Sequence, residues 1–228
     1  MTILGIYHIG CIGNYKSIIK EQLSLLHKNL LYKKIKHLIL FLSKKEIEEE
    51  IKTYDLEDKF IFHYYPMEEK ENYTINHFRK YITKDIKKVF YFHTKGVSRT
   101  NPVFHIRRKI LNYYILENYE LCIELLDKYD VIGCSLYKFP QLHFSGNFWW
   151  TTVSYLKTLP EKINNNYLTP EMFIGYTTLK NPNYCSLSQR TNIDPLEVHK
   201  KRTVEKMKNE IIITPFFNYR NKHLIKFT

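Results

Sequence analysis

Between residues 2 and 96 the chain alternates two hydrophobic periods, and that alternation limits the folds open to it. "TILGIYHIG" (2–10), "IKHLILFLS" (35–43), "KFIFHYY" (59–65) and "KKVFYFHTKG" (87–96) are short, nearly continuous apolar runs. Runs of this length and composition read as strands buried on both faces. The segments between them read as helices. In "NYKSIIKEQLSLLHKNLL", Ile19, Leu23, Leu26 and Leu30 recur at the helical period and share one face. Ser43 with Glu46 is spaced as a capping box for "KKEIEEEIKTYD", and "INHFRKYITKDI" supplies a third helix. A strand–helix series of this kind builds an α/β fold: one Rossmann-like domain with a mostly parallel central sheet flanked by helices. Ligands of such sheets lie at the carboxyl ends of the strands. Those ends are Tyr7–Gly10, Ser43, Tyr64–Pro66 and His93–Gly96.

The second half continues less regularly. Residues 102–129 form a long helical stretch with Pro102 suited to its start. "DVIGCSLY" reads as a strand, and "GNFWWTTVSYLKTLP" as a short strand followed by a helix. "TPEMFIGYTTL" reads as a helix with Thr169 as cap and Pro170 in its first position. No repeat or low-complexity linker interrupts the chain. The expected organisation is a domain over residues 1–181 with an extension, 182–228, packed on it. The aromatics Phe216, Phe217 and Tyr219 of that extension suit an acceptor cover, a core contact or a dimer equally.

Composition narrows the function. The formal charge is +12, from 35 basic and 23 acidic residues. A basic surface draws polyanions: nucleic acid, an anionic membrane or a diphosphate. Solvated lysines on helix faces would give the same excess. The four cysteines, Cys11, Cys122, Cys134 and Cys185, form no C-x-x-C pair, which argues against structural zinc and requires no disulfide. The N-terminus has no basic n-region, and no apolar run approaches a membrane span, so a soluble, cytoplasmic protein is expected. No helix-turn-helix, zinc or RNP signature supports nucleic-acid binding. "HIGCIGNY" lacks the glycine spacing of a dinucleotide-binding dehydrogenase or methyltransferase.

Three segments carry candidate chemistry. At the end of the fourth strand, His93, Thr94 and Lys95 offer donors for a diphosphate. Gly96 lets the backbone turn close to it, and Arg99 adds a cation. A solvated strand end would read the same way. In "HFSGNFWW", His143, Ser145, Gly146 and Asn147 precede Trp149 and Trp150, the only tryptophans in the chain. Sugars are recognised by polar groups beside an aromatic face. Adjacent strand residues point to opposite sides, so one indole is expected in the core and the other at a ligand, with two core indoles as the alternative. Glu171, at a helix start, suits either a base that deprotonates an acceptor hydroxyl or a partner of the helix dipole. Tyr7 and His8 end the first strand, where a nucleoside can rest. Arg107, Arg108 and Lys109 either bind phosphate or solubilise their helix.

"VFYFHTKGVSR", "RRKILNYY", "DVIGCSLY", "HFSGNFWWTTVSYLKTLP" and "PEMFIG", taken together, resemble a family of bacterial and viral glycosyltransferase-like proteins. In that family an HTKG strand end is followed by GNFWW and E-x-W-I-G segments. The resemblance covers about residues 70–176, and Phe173 stands where the last pattern carries Trp. It implies a GT-A type transferase that moves a sugar from a nucleotide diphosphate, UDP first among candidates, to a glycan, protein or lipid-linked acceptor. It implies a diphosphate site at His93–Gly96 and Arg99 and a catalytic carboxylate at Glu171, beside the nucleoside site that the end of the first strand offers at Tyr7 and His8. It implies a sugar site at His143, Ser145, Gly146, Asn147, Trp149 and Trp150. Such enzymes usually hold Mn²⁺ or Mg²⁺ on an Asp-x-Asp motif, which this chain lacks. The expectation is that Lys95, His93 and Arg99 replace the metal, with a divalent ion on His93 as the open alternative. A catalytically dead sugar-binding member is the rival reading. Oligomeric state is not legible.

Overall fold

The computed structural model describes residues 2–99, 101–188 and the backbone of 214–216. In chain order it contains β1 (Thr2–Ile9), α1 (Tyr15–Lys28), α2 (Leu31–Lys34), β2 (Ile35–Leu42), α3 (Glu48–Lys52), β3 (Phe60–Tyr64), α4 (Lys70–His77) and β4 (Ile86–His93). Next come α5 (Pro102–Asn112), a π-helical turn (Tyr113–Glu117), α6 (Tyr119–Leu125), β5 (Val131–Gly133), β6 (Leu136–Tyr137) and β7 (His143–Phe144). The series ends with β8 (Trp149–Thr152), α7 (Val153–Leu156), α8 (Thr169–Met172), β9 (Tyr184–Ser186) and β10 (Thr214–Phe216).

Among the described residues, eight strands form one sheet in the order β10-β9-β5-β8-β4-β1-β2-β3, and β6 pairs with β7 in a separate ribbon. β3, β2, β1 and β4 run parallel, as the strand–helix alternation requires. β8 runs antiparallel to both β4 and β5. β9 and β10, from the chain beyond residue 181, join the same sheet. Phe217 and Tyr219 lie outside the described residues.

The sheet divides the interior into two layers. Tyr7, Leu40, Phe90, Phe92 and Trp150 face α1, α5 and α6. Leu4, Ile6, Phe41, Tyr91 and Trp149 face Ile75, Phe78, Tyr155 and Phe173 on the other side. The strands therefore read as unbroken apolar runs because both of their faces are covered.

Several local expectations change. The hydroxyl of Ser43 accepts from the Cys11 amide at 3.3 Å rather than capping a helix, and α3 begins only at Glu48. Leu30 is half exposed with φ 63°; it ends α1 instead of extending its buried face. The third helix starts earlier than its pattern suggests, at Lys70, and passes into a 3-10 turn, Phe78–Tyr81. Leu168, not Thr169, takes the cap position of α8, and the Thr169 hydroxyl donates to Asn164 Oδ1 instead.

Candidate functional site

The parallel strands end on one open cleft of about 630 Å³. Its lining comes from the ends of β1 (His8, Gly10), β2 (Ser43) and β4 (His93–Arg99), from the start of α4 (Glu71, Asn72), and from Asn147, Tyr167 and Glu171.

The loop after β4 is shaped by its own sequence. The Lys95 and Val97 amides donate to the His93 and Thr94 carbonyls, and Gly96 takes φ 77°, a conformation open to glycine. The loop is tied to the end of β1. Gly10 N–H donates to Thr94 Oγ1 at 3.0 Å, and Asn14 N–H to the Val97 carbonyl at 3.3 Å. Gly13, φ 54°, sits against that carbonyl; a Cβ there would lie 2.4 Å from the Val97 oxygen. Arg108 fixes the loop from below. It is 3% exposed, bonds both carboxylate oxygens of Glu21, and donates to the Lys95 carbonyl at 3.2 Å. Arg108 is thus a structural residue and does not bind a ligand, while Lys109 is exposed.

Lys95 is half-buried in the cleft, and its ammonium makes no hydrogen bond or ion pair among the described residues. Burial lowers its pKa, opposed by Glu171, while the nearby Arg107 lowers it further and Glu71 opposes. Arg107 is itself lowered by burial and held up by Glu171. Arg99 is exposed at the cleft edge, its guanidinium 5.6 Å from the centre of the Phe104 ring.

The turn Gly146–Asn147 gathers the remaining polar groups. Gly146 N–H donates to Glu171 Oε1, and its carbonyl accepts from His93 Nε2 at 2.9 Å. Asn147, φ 52°, donates through Nδ2 to Glu71 Oε1 at 2.6 Å and accepts from Trp149 Nε1 at 3.0 Å. Glu71 Oε1 also accepts from the Tyr91 hydroxyl at 2.7 Å. Burial alone would raise the Glu71 carboxyl. The fields of His93 and His8, the Tyr91 hydrogen bond and Lys95 together outweigh it, and Glu71 stays below its ordinary value. His93 is lowered, chiefly by burial, with Glu71 pulling the other way.

The structure thus brings His8, His93, Thr94, Lys95, Gly96, Arg99, Asn147 and Glu171 onto one cleft. It withdraws others. Tyr7 is fully buried, stacked on Phe92 at 4.1 Å, with its hydroxyl donating to Gln22, so it cannot bind a nucleoside. Both indoles are fully buried, which corrects the expectation of a ligand-facing tryptophan. Trp150 stacks on Phe90 at 4.6 Å in one layer, and Trp149 on Tyr91 at 5.2 Å in the other. Trp149 serves the site only by orienting Asn147. His143 is buried against Tyr137 and bonds the Gln141 carbonyl, while the Ser145 amide donates to the Ser135 carbonyl; neither lines the cleft. Gly146 acts through its backbone. Thr94 touches the cleft, but its hydroxyl accepts from the Gly10 amide and so serves to hold the two loops together.

Glu71 escaped the sequence reading. It follows Glu68 and Glu69 in a run that looks solvated. The available signal was its spacing: Glu71, Ile75 and Phe78 fall at i, i+4 and i+7, a carboxylate on an apolar stripe.

The family described as Domain of unknown function (DUF8361) matches residues 10–194. No curated protein matches the chain. Among solved structures, it is similar to 4-diphosphocytidyl-2C-methyl-D-erythritol synthase from Anaerococcus prevotii, with TM-score 0.40 and 10% identity over 74% of this chain and 81% of that one. It is also similar to Rv0371C in complex with manganese from Mycobacterium tuberculosis, with TM-score 0.40 and 8% identity over 69% and 74%.

Proposed function

We propose that this chain, which belongs to the family Domain of unknown function (DUF8361), is a glycosyltransferase that takes a sugar from a UDP-sugar. The observation that carries the reading is the meeting of Lys95, Asn147 and Glu171, far apart in sequence, on one cleft at the carboxyl ends of β1 and β4. Lys95 supplies an uncommitted positive charge in a partly dry site, where a diphosphate leaving group needs one. Arg99 at the rim and the turn at Gly96 add to that pole. Glu171 faces the same space with one oxygen held by the Gly146 amide. The bond from the anomeric carbon to the diphosphate oxygen breaks, and its electron pair leaves with the phosphate beside Lys95. The acceptor oxygen bonds to that carbon, and its proton passes to Glu171.

The donor set does not fit a carboxylate-held Mn²⁺ or Mg²⁺. One donor atom of each of Glu71, Glu171 and His93 is engaged within the protein, and the chain has no Asp-x-Asp pair to complete a coordination shell from the atoms that remain. Among the described residues no three His, Cys, Asp or Glu side chains are arranged to hold an ion. Lys95 therefore carries the leaving-group charge in this proposal. A single-stranded nucleic acid would call for a uniformly basic groove. Here Glu68, Glu71 and Glu171 share the cleft with Lys70, Lys95 and Arg99, which favours a small zwitterionic site.

The test is turnover of a panel of UDP-sugars by the wild type and by Glu171→Gln. The variant should lose about 10²-fold or more in kcat. An unchanged kcat would remove Glu171 from the chemistry, and no turnover of any donor by the wild type would reject the transferase reading.

A further inference from the structure

Glu71 and His93 leave a gap that the protein does not fill. His93 Nε2 lies 2.9 Å from the Gly146 carbonyl, which can only accept, so Nε2 carries the hydrogen. Nδ1 is then a bare lone pair in the neutral ring. It faces Glu71 Oε2 at 3.8 Å, too far for a hydrogen bond. The other Glu71 oxygen already accepts two hydrogen bonds, from Tyr91 and Asn147. Oε2 receives no hydrogen bond among the described residues. Two acceptors thus converge on one space inside the cleft, and both residues line it. Both atoms open onto the cleft, where water donates to them until a ligand with matching donors takes its place. Burial keeps the imidazole from supplying the missing proton itself, against the pull of the Glu71 carboxylate.

Resting on the transferase reading above, we infer that Glu71 Oε2 and His93 Nδ1 together read a vicinal diol of the transferred sugar, one hydroxyl donating to each. A diol presents two O–H donors side by side, which is what two neighbouring acceptors require. The Gly146–Asn147 turn holds the pair in register, because it binds His93 through its carbonyl and Glu71 through the Asn147 amide. The Trp149 N–H in turn fixes which end of that amide faces Glu71. The site would therefore prefer donors whose ring hydroxyls are free over those deoxygenated at either position.

The experiment measures binding of UDP, of UDP-hexoses and of their monodeoxy analogues to the wild type and to Glu71→Gln. Gln keeps an oxygen for Tyr91 and Asn147 and puts an amide N–H donor where Oε2 stood, so the second of the two neighbouring acceptors is lost. Thermal melting checks that this near-isosteric variant is folded. The wild type should discriminate against two adjacent deoxy positions by roughly 10- to 150-fold. Glu71→Gln should bind UDP at least as tightly as the wild type, because it removes a negative charge whose field reaches Lys95, and should lose both the preference for the intact hexose and the discrimination. Unchanged discrimination in the variant overturns the inference while leaving the transferase reading intact. Equal loss of UDP itself also overturns it, since Glu71 would then act on the diphosphate or its counter-ion. A wild type that binds UDP but gains nothing from any attached hexose rejects the transferase reading and the inference with it.

Discussion

Acid should weaken this protein through His8, by an amount its surroundings fix. Burial lowers His8 to about 4 from an ordinary 6.5, with Glu71 pulling the other way and His93 adding to the drop. The neutral ring is fully used. The Tyr65 hydroxyl donates to the Ile9 carbonyl, leaving its oxygen to face His8 Nε2, while Nδ1 meets the Thr74 hydroxyl at 2.8 Å. Between those two pKa values the unfolded chain binds a proton that the folded chain excludes. Stability therefore rises with pH through that window and is lost as pH falls from about 6.5 to about 4. At about 1.4 kcal/mol per pH unit the loss amounts to about 3 kcal/mol, a large share of a typical domain's ~5–15 kcal/mol. The assay is urea unfolding at several pH values for the wild type and His8→Asn, whose carboxamide can meet Thr74 but does not titrate. The wild type should lose about 3 kcal/mol more than the variant between about pH 7 and about pH 4. Parallel curves for the two proteins would refute a neutral, buried His8.

Three further outcomes are expected. Lys95→Met should weaken UDP binding roughly tenfold to a hundredfold in calorimetry, with little change in melting temperature; undiminished affinity would take the diphosphate away from the loop after β4. Gly13→Ala should cost about 1–3 kcal/mol in denaturant unfolding, because the new methyl meets the Val97 carbonyl in a left-handed backbone; a neutral result would mean that the two loops part easily. Trp149→Phe should keep the stack on Tyr91 but free Asn147, costing about 1–3 kcal/mol. It should also weaken UDP-hexose binding more than UDP binding, and an equal effect on both ligands would deny Asn147 its place beside the sugar.

The parallel half of the sheet was legible because its strands are continuous apolar runs with sharp boundaries. The direction of β8 was not, since a hydrophobic pattern carries no sign for parallel or antiparallel pairing. Its position explains the tryptophans. β8 lies inside the sheet, between β4 and β5, where packed layers cover both faces of the sheet, and alternation sends one indole into each layer. Four residues of sequence do not reveal how many faces of a strand are covered. Tyr7 misled for a related reason: on a strand buried on both sides, the last core residue and the first ligand-facing residue look alike. Lys95, Asn147 and Glu171 were visible because they stand at the strand end, turn and helix start where the chain reaches the cleft. Glu71 was hidden in an acidic run beside Glu69 and the exposed Glu68.

Whether Lys95 seats a diphosphate is answered most directly by a crystal structure of the protein with a UDP-hexose. Phosphate oxygens should lie about 3 Å from Lys95 Nζ, with the hexose turned toward Asn147 and Glu171. A nucleotide bound elsewhere on the surface, with the cleft beside Lys95 holding only water, would contradict the assignment.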